Sequence, residues 1–125
     1  MIEVSKLSKK FDDTYVLNEV STFFEKGKTN LIIGQSGSGK TVFLKCILGL
    51  FSPESGEIIY NKTPLSKMNS KERTELRQDM GMVFQGSALF DSMTVEENIA
   101  FPMKMFTNTH TDEIRDRANI VIKRV

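Results

Sequence analysis

One segment of the sequence has residue types and spacing that suit phosphate chemistry. Residues 34–41 read G-Q-S-G-S-G-K-T and match the pattern G-x-x-x-x-G-K-[ST] of a phosphate-binding loop. A triphosphate carries several negative charges, and successive backbone N–H groups can surround it where glycines keep side chains out of the way. The pattern therefore predicts a site for a nucleoside triphosphate.

The end of this segment adds two side chains with chemistry of their own. Lys40 supplies a mobile positive charge for the β- and γ-phosphate oxygens, and the hydroxyl of Thr41 can coordinate Mg²⁺. A helix that starts near Lys40 points the positive end of its dipole at the same phosphates. Val42 has no hydroxyl, so it can donate only its backbone N–H. The predicted phosphate-binding residues are Gly34, Gln35, Ser36, Gly37, Ser38, Gly39, Lys40, Thr41 and Val42.

The elements that must position this loop flank it directly. Residues 29–33 form a short apolar run that predicts a buried strand, and residues 42–48 predict a helix that Gly49 ends. A strand, a loop and a helix in this order are the context that the motif requires. The alternative is a glycine-rich turn that matches the pattern by chance, and the flanking elements argue against it.

The composition narrows the classes of function. The chain has 125 residues with 17 basic and 16 acidic side chains, so its net charge of +1 gives no reason to expect nucleic acid or an anionic membrane as a partner. Cys46 is the single cysteine, which excludes a disulfide framework, and we expect a buried, inert thiol there. No signal peptide is evident, and no apolar run approaches the length of a membrane span.

The sequence before the loop predicts two or three strands. Ile2 and Val4 alternate with polar residues, a turn is expected at 9–13, and residues 15–17 and 20–24 are strand-like. This stretch argues against a small P-loop kinase, in which the loop usually follows the first strand.

Further elements are expected after the loop helix. Asn69 and Glu72 have the spacing of an N-cap and its N3 partner, which predicts a helix to about residue 77. The apolar run 81–85 is long enough for one more buried strand. The remaining assignments are a turn at 53–56, a strand at 57–60 and a polar loop at 61–68.

Residues beyond 85 predict helices. Thr94 and Glu97 suit a capping box for a short helix that Pro102 stops, and Thr109 with Asp112 suggests another helix start. His110, the only histidine, is expected in a solvent-facing loop. The last helix has no stop signal, so we expect the chain to be the N-terminal part of a longer protein. Its apolar face is predicted from Ile114, Ala118, Val121 and Val125.

Taken in this order, the motifs resemble the ATPase subunits of ABC transporters, and the resemblance covers essentially the whole sequence. Phe11 falls where that family places an aromatic residue that stacks on adenine, and such a ring supports a purine without polar partners. Residues 83–85, Val-Phe-Gln, look like the family's Q-loop. Residues 53–58 and 89–99 are similar to the segments that follow the loop helix and the Q-loop.

The resemblance implies an α/β fold. It would contain the core of a P-loop NTPase, specifically an ABC ATPase, with an N-terminal antiparallel β subdomain and the start of the helical subdomain. The implied nucleotide-binding core covers residues 1–85. Residues 86–125 would begin the helical subdomain, which is truncated here.

The resemblance also assigns roles in the site. Phe11 and Val16 would line the adenine pocket. Gln85 would reach Mg²⁺ and the attacking water, and would link the site to the membrane subunit. Lys40 and Gln85 are therefore the expected catalytic residues, and Thr41 and Gln85 the expected metal ligands. The implied cofactors are ATP and Mg²⁺.

In this family, ATP binding closes a head-to-tail dimer, and hydrolysis reopens it while membrane subunits move the substrate. The implied partners are transmembrane permease subunits and a second ATPase subunit, at the cytoplasmic face of the inner membrane. Residues 34–42 and 86–92 look most like the branch that serves phospholipid transport with Mce-type lipid-binding proteins. Leu89, Phe90 and Met93 are either buried or border the groove for a cytoplasmic coupling helix.

Several family motifs are not found in this sequence. It lacks the Leu-Ser-Gly-Gly-Gln signature, the Walker-B aspartate, the catalytic glutamate and the switch histidine. We therefore expect the full protein to hydrolyse ATP and this part alone to be inactive. Two alternatives stay open: a soluble ABC-type ATPase without a membrane partner, as in translation or DNA repair, and a binding-only fragment without turnover.

Overall fold

A computed structural model describes residues 1–84, 86 and 88–124. The chain divides into two compact units, Met1–Met80 and a second unit that begins at Gly81. The phosphate-loop motif lies in the first unit.

The first unit begins with a long hairpin. Strands β1 (Ile2–Phe11) and β2 (Thr14–Phe24) pair antiparallel, with a turn at Asp12 and Asp13. The predicted turn at 9–13 is thus shorter than expected, because β1 continues to Phe11. The residues predicted as separate pieces at 15–17 and 20–24 belong to one strand.

Irregular pairing bends this hairpin at two points. Lys6 and Glu19 have positive φ angles of 46° and 48°, and the strand register shifts on both sides of Leu7. At each point, a serine hydroxyl from the opposite strand accepts a hydrogen bond from the backbone N–H. The Lys6 N–H donates to Ser21 Oγ at 2.8 Å, and the Glu19 N–H donates to Ser8 Oγ at 3.0 Å. The bulges therefore leave neither N–H without a partner.

Two further strands complete an antiparallel sheet in the order β2-β1-β3-β4. Strand β3 spans Ser55–Tyr60 and β4 spans Thr63–Pro64. Gly56 has φ of 88°, and a β-carbon there would collide with the Lys6 carbonyl, so β3 needs glycine where β1 bulges.

Helix α1 (Lys40–Ile47) packs on this sheet and closes the core. Cys46 is fully buried, as predicted, and burial raises the pKa of its thiol. Gly49 follows the helix with φ of 65°, which confirms its predicted role as the stop. The buried cluster consists of Val4, Leu7, Leu17, Phe43, Cys46, Ile47, Ile58, Tyr60 and Leu65.

A short 3-10 turn (Leu65–Lys67) leads into α2 (Ser70–Gln78). Asn69 and Glu72 form the predicted capping box: Asn69 Oδ1 accepts from the Glu72 N–H at 3.0 Å, and Glu72 Oε2 accepts from the Asn69 N–H at 2.8 Å. Residues 61–68 were predicted as a polar loop, and the structure differs because this segment contains β4 and the 3-10 turn.

The second unit contains helices α3 (Val95–Phe106) and α4 (Thr111–Ile122). Ala100, Ile114 and Ala118 are buried between them, whereas Val121 remains 46% exposed. The predicted apolar face of α4 is therefore correct for Ile114 and Ala118 and wrong for Val121. Val125 lies outside the described residues.

Two predicted strands are not formed. Residues 29–33 and 81–84 have no regular secondary structure, and Leu31, Ile33 and Val83 are 82%, 84% and 97% exposed. A strand exists only where another strand accepts and donates its backbone hydrogen bonds. Among the described residues no strand pairs with either segment. The apolar composition of these two segments alone is therefore not sufficient to form a strand.

Two predicted helix boundaries were also wrong. Helix α3 does not stop at Pro102 but continues to Phe106, with the proline inside the helix. Helix α4 begins after His110, which is its exposed N-cap, and not after Thr109. Thr109 Oγ1 instead accepts a hydrogen bond from Thr107 Oγ1 at 2.8 Å.

Candidate functional site

The segment 34–41 forms a tight loop that ends in the first turn of α1. Gly37 and Gly39 have φ of 80° and 93°, values that side chains with a β-carbon rarely adopt. The Ser38 N–H donates to the Gln35 carbonyl at 3.2 Å, and the Phe43 N–H donates to the Gly39 carbonyl at 2.8 Å. The loop is therefore continuous with the helix.

At two glycines of the loop, neighbouring atoms also restrict the space for a β-carbon. A β-carbon at Gly39 would lie 2.9 Å from the Val16 carbonyl oxygen and 3.1 Å from a methyl carbon of Leu17. A β-carbon at Gly34 would lie 2.6 Å from Ser38 Oγ. Gly39 thus lets β2 approach the start of α1. This contact joins the hairpin to the phosphate loop.

The ammonium group of Lys40 is held inside the loop. Its Nζ donates to the carbonyl oxygens of Gly34 and Gln35, both at 2.7 Å. The side chain therefore folds back over the loop that precedes it. A mobile cation held by two carbonyl groups can turn toward an anion with little rearrangement of the backbone.

The N-terminus of α1 is suited to anions. Gly39 is the N-cap and supplies no side-chain acceptor, and the first turn of α1, fully within the described part of the chain, has no acidic residue. The N–H groups at this end of the helix therefore remain available, and the helix dipole favours negative charge there. Thr41 is exposed and Val42 is half-buried.

These features fit a triphosphate with its magnesium ion. The glycine positions leave a cradle that β-carbons would fill, the free N–H groups and Lys40 suit phosphate oxygens, and the Thr41 hydroxyl is an oxygen ligand of the kind that Mg²⁺ prefers. Among the residues that the structure describes, no group of three or more His, Cys, Asp or Glu side chains could hold a metal ion.

Phe11 and Val16 both lie on the β1–β2 hairpin. Phe11 ends β1 at the hairpin turn, where it pairs with Thr14, and its side chain is 42% exposed. Val16 lies on β2, two residues after Thr14, and its carbonyl oxygen lies beside Gly39. The structure therefore brings Val16 to the loop, and part of the Phe11 side chain is exposed. Gln85 lies outside the described residues.

Sequence reasoning missed a cluster around Phe11. Phe51 and Lys9 contact the Phe11 ring, Lys45 lies over the Phe51 ring, and Lys9 Nζ lies 2.8 Å from Glu54 Oε1. The hydrogen bond from Lys9 lowers the pKa of the Glu54 carboxyl group. No motif or spacing in the sequence relates these residues, since they come from β1, α1 and the segment after α1.

A second missed residue organises the other unit. Asn98 on α3 binds the segment before its own helix: its Oδ1 accepts from the Phe90 N–H at 2.7 Å, and its Nδ2 donates to the carbonyls of Phe90, Met93 and Thr94 at 3.0–3.1 Å. Phe90 also packs on Phe101, with ring centroids 4.8 Å apart. From the sequence, roles were predicted in this region for Thr94 and Glu97 and for Leu89, Phe90 and Met93, but none for Asn98.

A family model described as "ABC transporter" matches residues 17–125. This match covers most of the chain, and the loop, hairpin and helix described above lie where the family resemblance expects them. The chain therefore belongs to the ABC transporter family. No helix among the described residues is long and apolar enough to cross a membrane.

Curated relatives include ATP-binding proteins of several transport systems. The chain is 40% identical to the "Probable ribonucleotide transport ATP-binding protein mkl" of Mycobacterium bovis, over 92% of this chain and 32% of the relative. It is 37% identical to the "Intermembrane phospholipid transport system ATP-binding protein MlaF" of Haemophilus influenzae, over 92% of this chain and 44% of the relative. A "Methionine import ATP-binding protein MetN" from Protochlamydia amoebophila is 42% identical over 84% of this chain and 33% of its own length.

Solved structures agree on the fold. A dimeric bacterial ABC transporter cassette superposes with a TM-score of 0.87 at 30% identity, covering 98% of this chain and 56% of that one. A dimeric post-hydrolysis ATP-binding cassette with bound ADP and Pi gives a TM-score of 0.86 at 29% identity, with the same coverage. The chain thus has the fold of part of an ABC ATPase, and it spans 32–44% of the length of the curated relatives named here.

Proposed function

We propose that the full-length protein is the ATP-binding subunit of an ABC transporter and hydrolyses ATP to drive transport. The observation that carries this proposal is the loop at residues 34–41. There the Lys40 ammonium group lies 2.7 Å from two loop carbonyls, beside the uncapped N-terminus of α1. Family membership supports the proposal.

In this proposal, the loop holds the phosphates of ATP. The backbone N–H groups of residues 40–42, at the start of α1, donate to phosphate oxygens, and Lys40 turns from its carbonyl partners to the β- and γ-phosphates. Thr41 supplies a hydroxyl ligand for Mg²⁺, and the ion when bound would neutralise charge on the phosphates. As the γ-phosphate moves to water, Lys40 stabilises the charge that develops on its oxygens.

Three further residues belong to the proposed site. Phe11 stacks on the adenine ring and Val16 lines the same pocket, which the exposure of Phe11 and the contact of Val16 with the Gly39 position support. Gln85 is proposed as the second catalytic residue and second metal ligand. That role rests on the resemblance of residues 83–85 to the Q-loop alone.

More specifically, we propose that the transporter moves phospholipid. A relative named for intermembrane phospholipid transport supports it, although relatives named for ribonucleotide transport and methionine import are similarly close. The partners would be transmembrane permease subunits, a second copy in a head-to-tail dimer, and an Mce-type lipid-binding protein. The protein would then work at the cytoplasmic face of the inner membrane. Co-purification of the full-length protein with a membrane subunit distinguishes this from an ABC ATPase that works without one.

The proposal predicts that Lys40→Ala in the full-length protein reduces ATP hydrolysis by about 100-fold or more, because a positive charge directed at the γ-phosphate is lost. The fold should be unchanged, since the Lys40 side chain is only half-buried and bonds only within the loop. Steady-state phosphate release measures the activity, and circular dichroism checks the fold.

Lys28→Ala is the matched control for this experiment. Lys28 precedes the loop and is exposed, so its replacement removes the same charge without touching the phosphate cradle. The control should keep wild-type turnover. Near-normal hydrolysis by Lys40→Ala, or an equal loss in both variants, would contradict the proposed site.

A further inference from the structure

The ring of Phe11 has a specific aromatic neighbour. Phe51 meets it edge to face, with ring centroids 5.6 Å apart and an interplanar angle of 75°. This arrangement is favoured because the positive edge of one ring meets the negative face of the other. Phe11 remains 42% exposed, so Phe51 covers one part of the ring and leaves another part open.

Phe51 itself is fixed by α1. The N–H groups of Leu50 and Phe51 both donate to the Lys45 carbonyl, at 2.9 and 3.2 Å. The Lys45 ammonium group lies over the Phe51 ring, 5.2 Å from its centroid. One end of α1 therefore begins at the phosphate loop, and the other end sets the position of Phe51.

A second contact limits the Phe11 ring. Lys9 Nζ lies over it at 5.3 Å from the centroid, and Glu54 holds that ammonium group at 2.8 Å. The Glu54 N–H also donates to the Ser8 carbonyl at 2.9 Å, which ties the segment after α1 to β1. An exposed aromatic side chain at the end of a strand would otherwise exchange between rotamers.

We propose that Phe51 is a positioning residue for nucleobase binding: it holds the Phe11 ring in the orientation that stacks on adenine. This inference rests on the proposed function, because it needs Phe11 to contact the base. Its physical basis is preorganisation, since a ring held in its binding orientation loses less conformational entropy when the base binds. Phe51 acts through Phe11 and does not itself touch the ligand.

The test compares two ligands, ATP and inorganic triphosphate, in the full-length protein by titration calorimetry. Phe51→Leu should weaken ATP binding by about two- to tenfold, the range expected for one aromatic pair, and leave the affinity for triphosphate unchanged. Phe51→Tyr, which keeps the ring, should restore the affinity for ATP. In a Phe11→Ala background, Phe51→Leu should cause no further loss.

Phe24→Leu is the matched control. It removes another aromatic contact of the same unit, with Phe43 at 6.3 Å between centroids, and lies outside the Phe11 cluster. It should lower thermal stability without changing the ratio of the two affinities. This ratio separates base positioning from a general loss of packing.

Three results would overturn the inference. They are equal weakening of both ligands by Phe51→Leu, unchanged ATP affinity in that variant, and additive losses in the double variant. If the Lys40→Ala variant binds ATP as tightly as the wild type, the proposed function fails as well. The Lys40→Ala measurement therefore distinguishes the two failures.

Discussion

Gly39 shows how one residue can meet several requirements of a site. Its φ of 93° suits glycine, and the Val16 carbonyl leaves no room for a β-carbon. Because it has no side chain, it also leaves the N–H groups at the start of α1 without a competing acceptor. The sequence motif predicts the first requirement. The second depends on β2, which the motif does not include.

Tyr60 carries a polar atom that the fold does not satisfy. It is 5% exposed in the core, and among the described residues its hydroxyl has no hydrogen-bond partner. We expect Tyr60→Phe to raise the free energy of unfolding by about 1 kcal/mol at pH 7, because the buried hydroxyl loses its bonds to water on folding. Guanidinium unfolding of the full-length protein measures this. Tyr15→Phe, at a residue that is 57% exposed, should have no effect.

Tyr60 should also make the stability of the protein depend on pH in the alkaline range. Burial raises the pKa of Tyr60 to about 12, above the ordinary value of 10. Its contribution to stability is therefore fully present below pH 10 and is lost as the pH rises toward 12, since only the unfolded state ionises in that range. Tyr60→Phe should reduce this loss. A variant that is less stable at pH 7, or that loses stability above pH 10 as the wild type does, would contradict the assignment.

At the scale of elements, helix starts are the best predicted features. Both capping boxes, at Asn69 and Thr94, are present as expected. Such a box depends on residues three positions apart, so local sequence determines it. The predicted helix start at Thr109 was wrong for a local reason too, because the Thr109 hydroxyl is instead hydrogen-bonded to the Thr107 hydroxyl.

The Thr94 cap should stabilise α3 measurably. Its Oγ1 accepts from the Glu97 N–H at 3.2 Å, and its own N–H donates to Glu97 Oε2 at 2.8 Å. We expect Thr94→Ala to lower the free energy of unfolding by about 1 kcal/mol. Guanidinium unfolding with helical circular dichroism measures the loss.

Thr109→Ala is the control, since Thr109 makes no cap. It should cost clearly less than Thr94→Ala. The bond from Thr94 lowers the pKa of the Glu97 carboxyl group, so the contribution of the box is present above the ordinary pKa of 4.5 and is lost as the pH falls below it. Equal costs for the two threonines would contradict the importance of the box.

At the scale of the whole molecule, local motifs were predictable and long-range pairings were not. The phosphate loop, its helix and the Gly49 stop follow from adjacent residues. The contact between Phe11 and Phe51 joins residues 40 positions apart and has no sequence signal. The strands expected at 29–33 and 81–85 depend on partners elsewhere in a sheet, which an apolar run does not specify.

Hydrogen exchange can test this contrast in a preparation of residues 1–125. The amides of Leu31, Ile32 and Ile33 should exchange rapidly, because no described residue accepts a hydrogen bond from them. The amides of Val4 and Ile58, in paired and buried strands, should be protected. Comparable protection of the two groups would show that residues 29–33 pair in solution.

The open segment before the loop also bears on how the protein is handled. Leu-Ile-Ile at 31–33 is apolar, with two β-branched isoleucines, no charge and no proline, and among the described residues no strand pairs with its backbone. Such a segment is a template for intermolecular strand addition and aggregation. Residues 1–125 prepared alone should therefore be kept dilute. The charged side chains of Lys26 and Lys28, next to the segment, oppose self-association by charge repulsion.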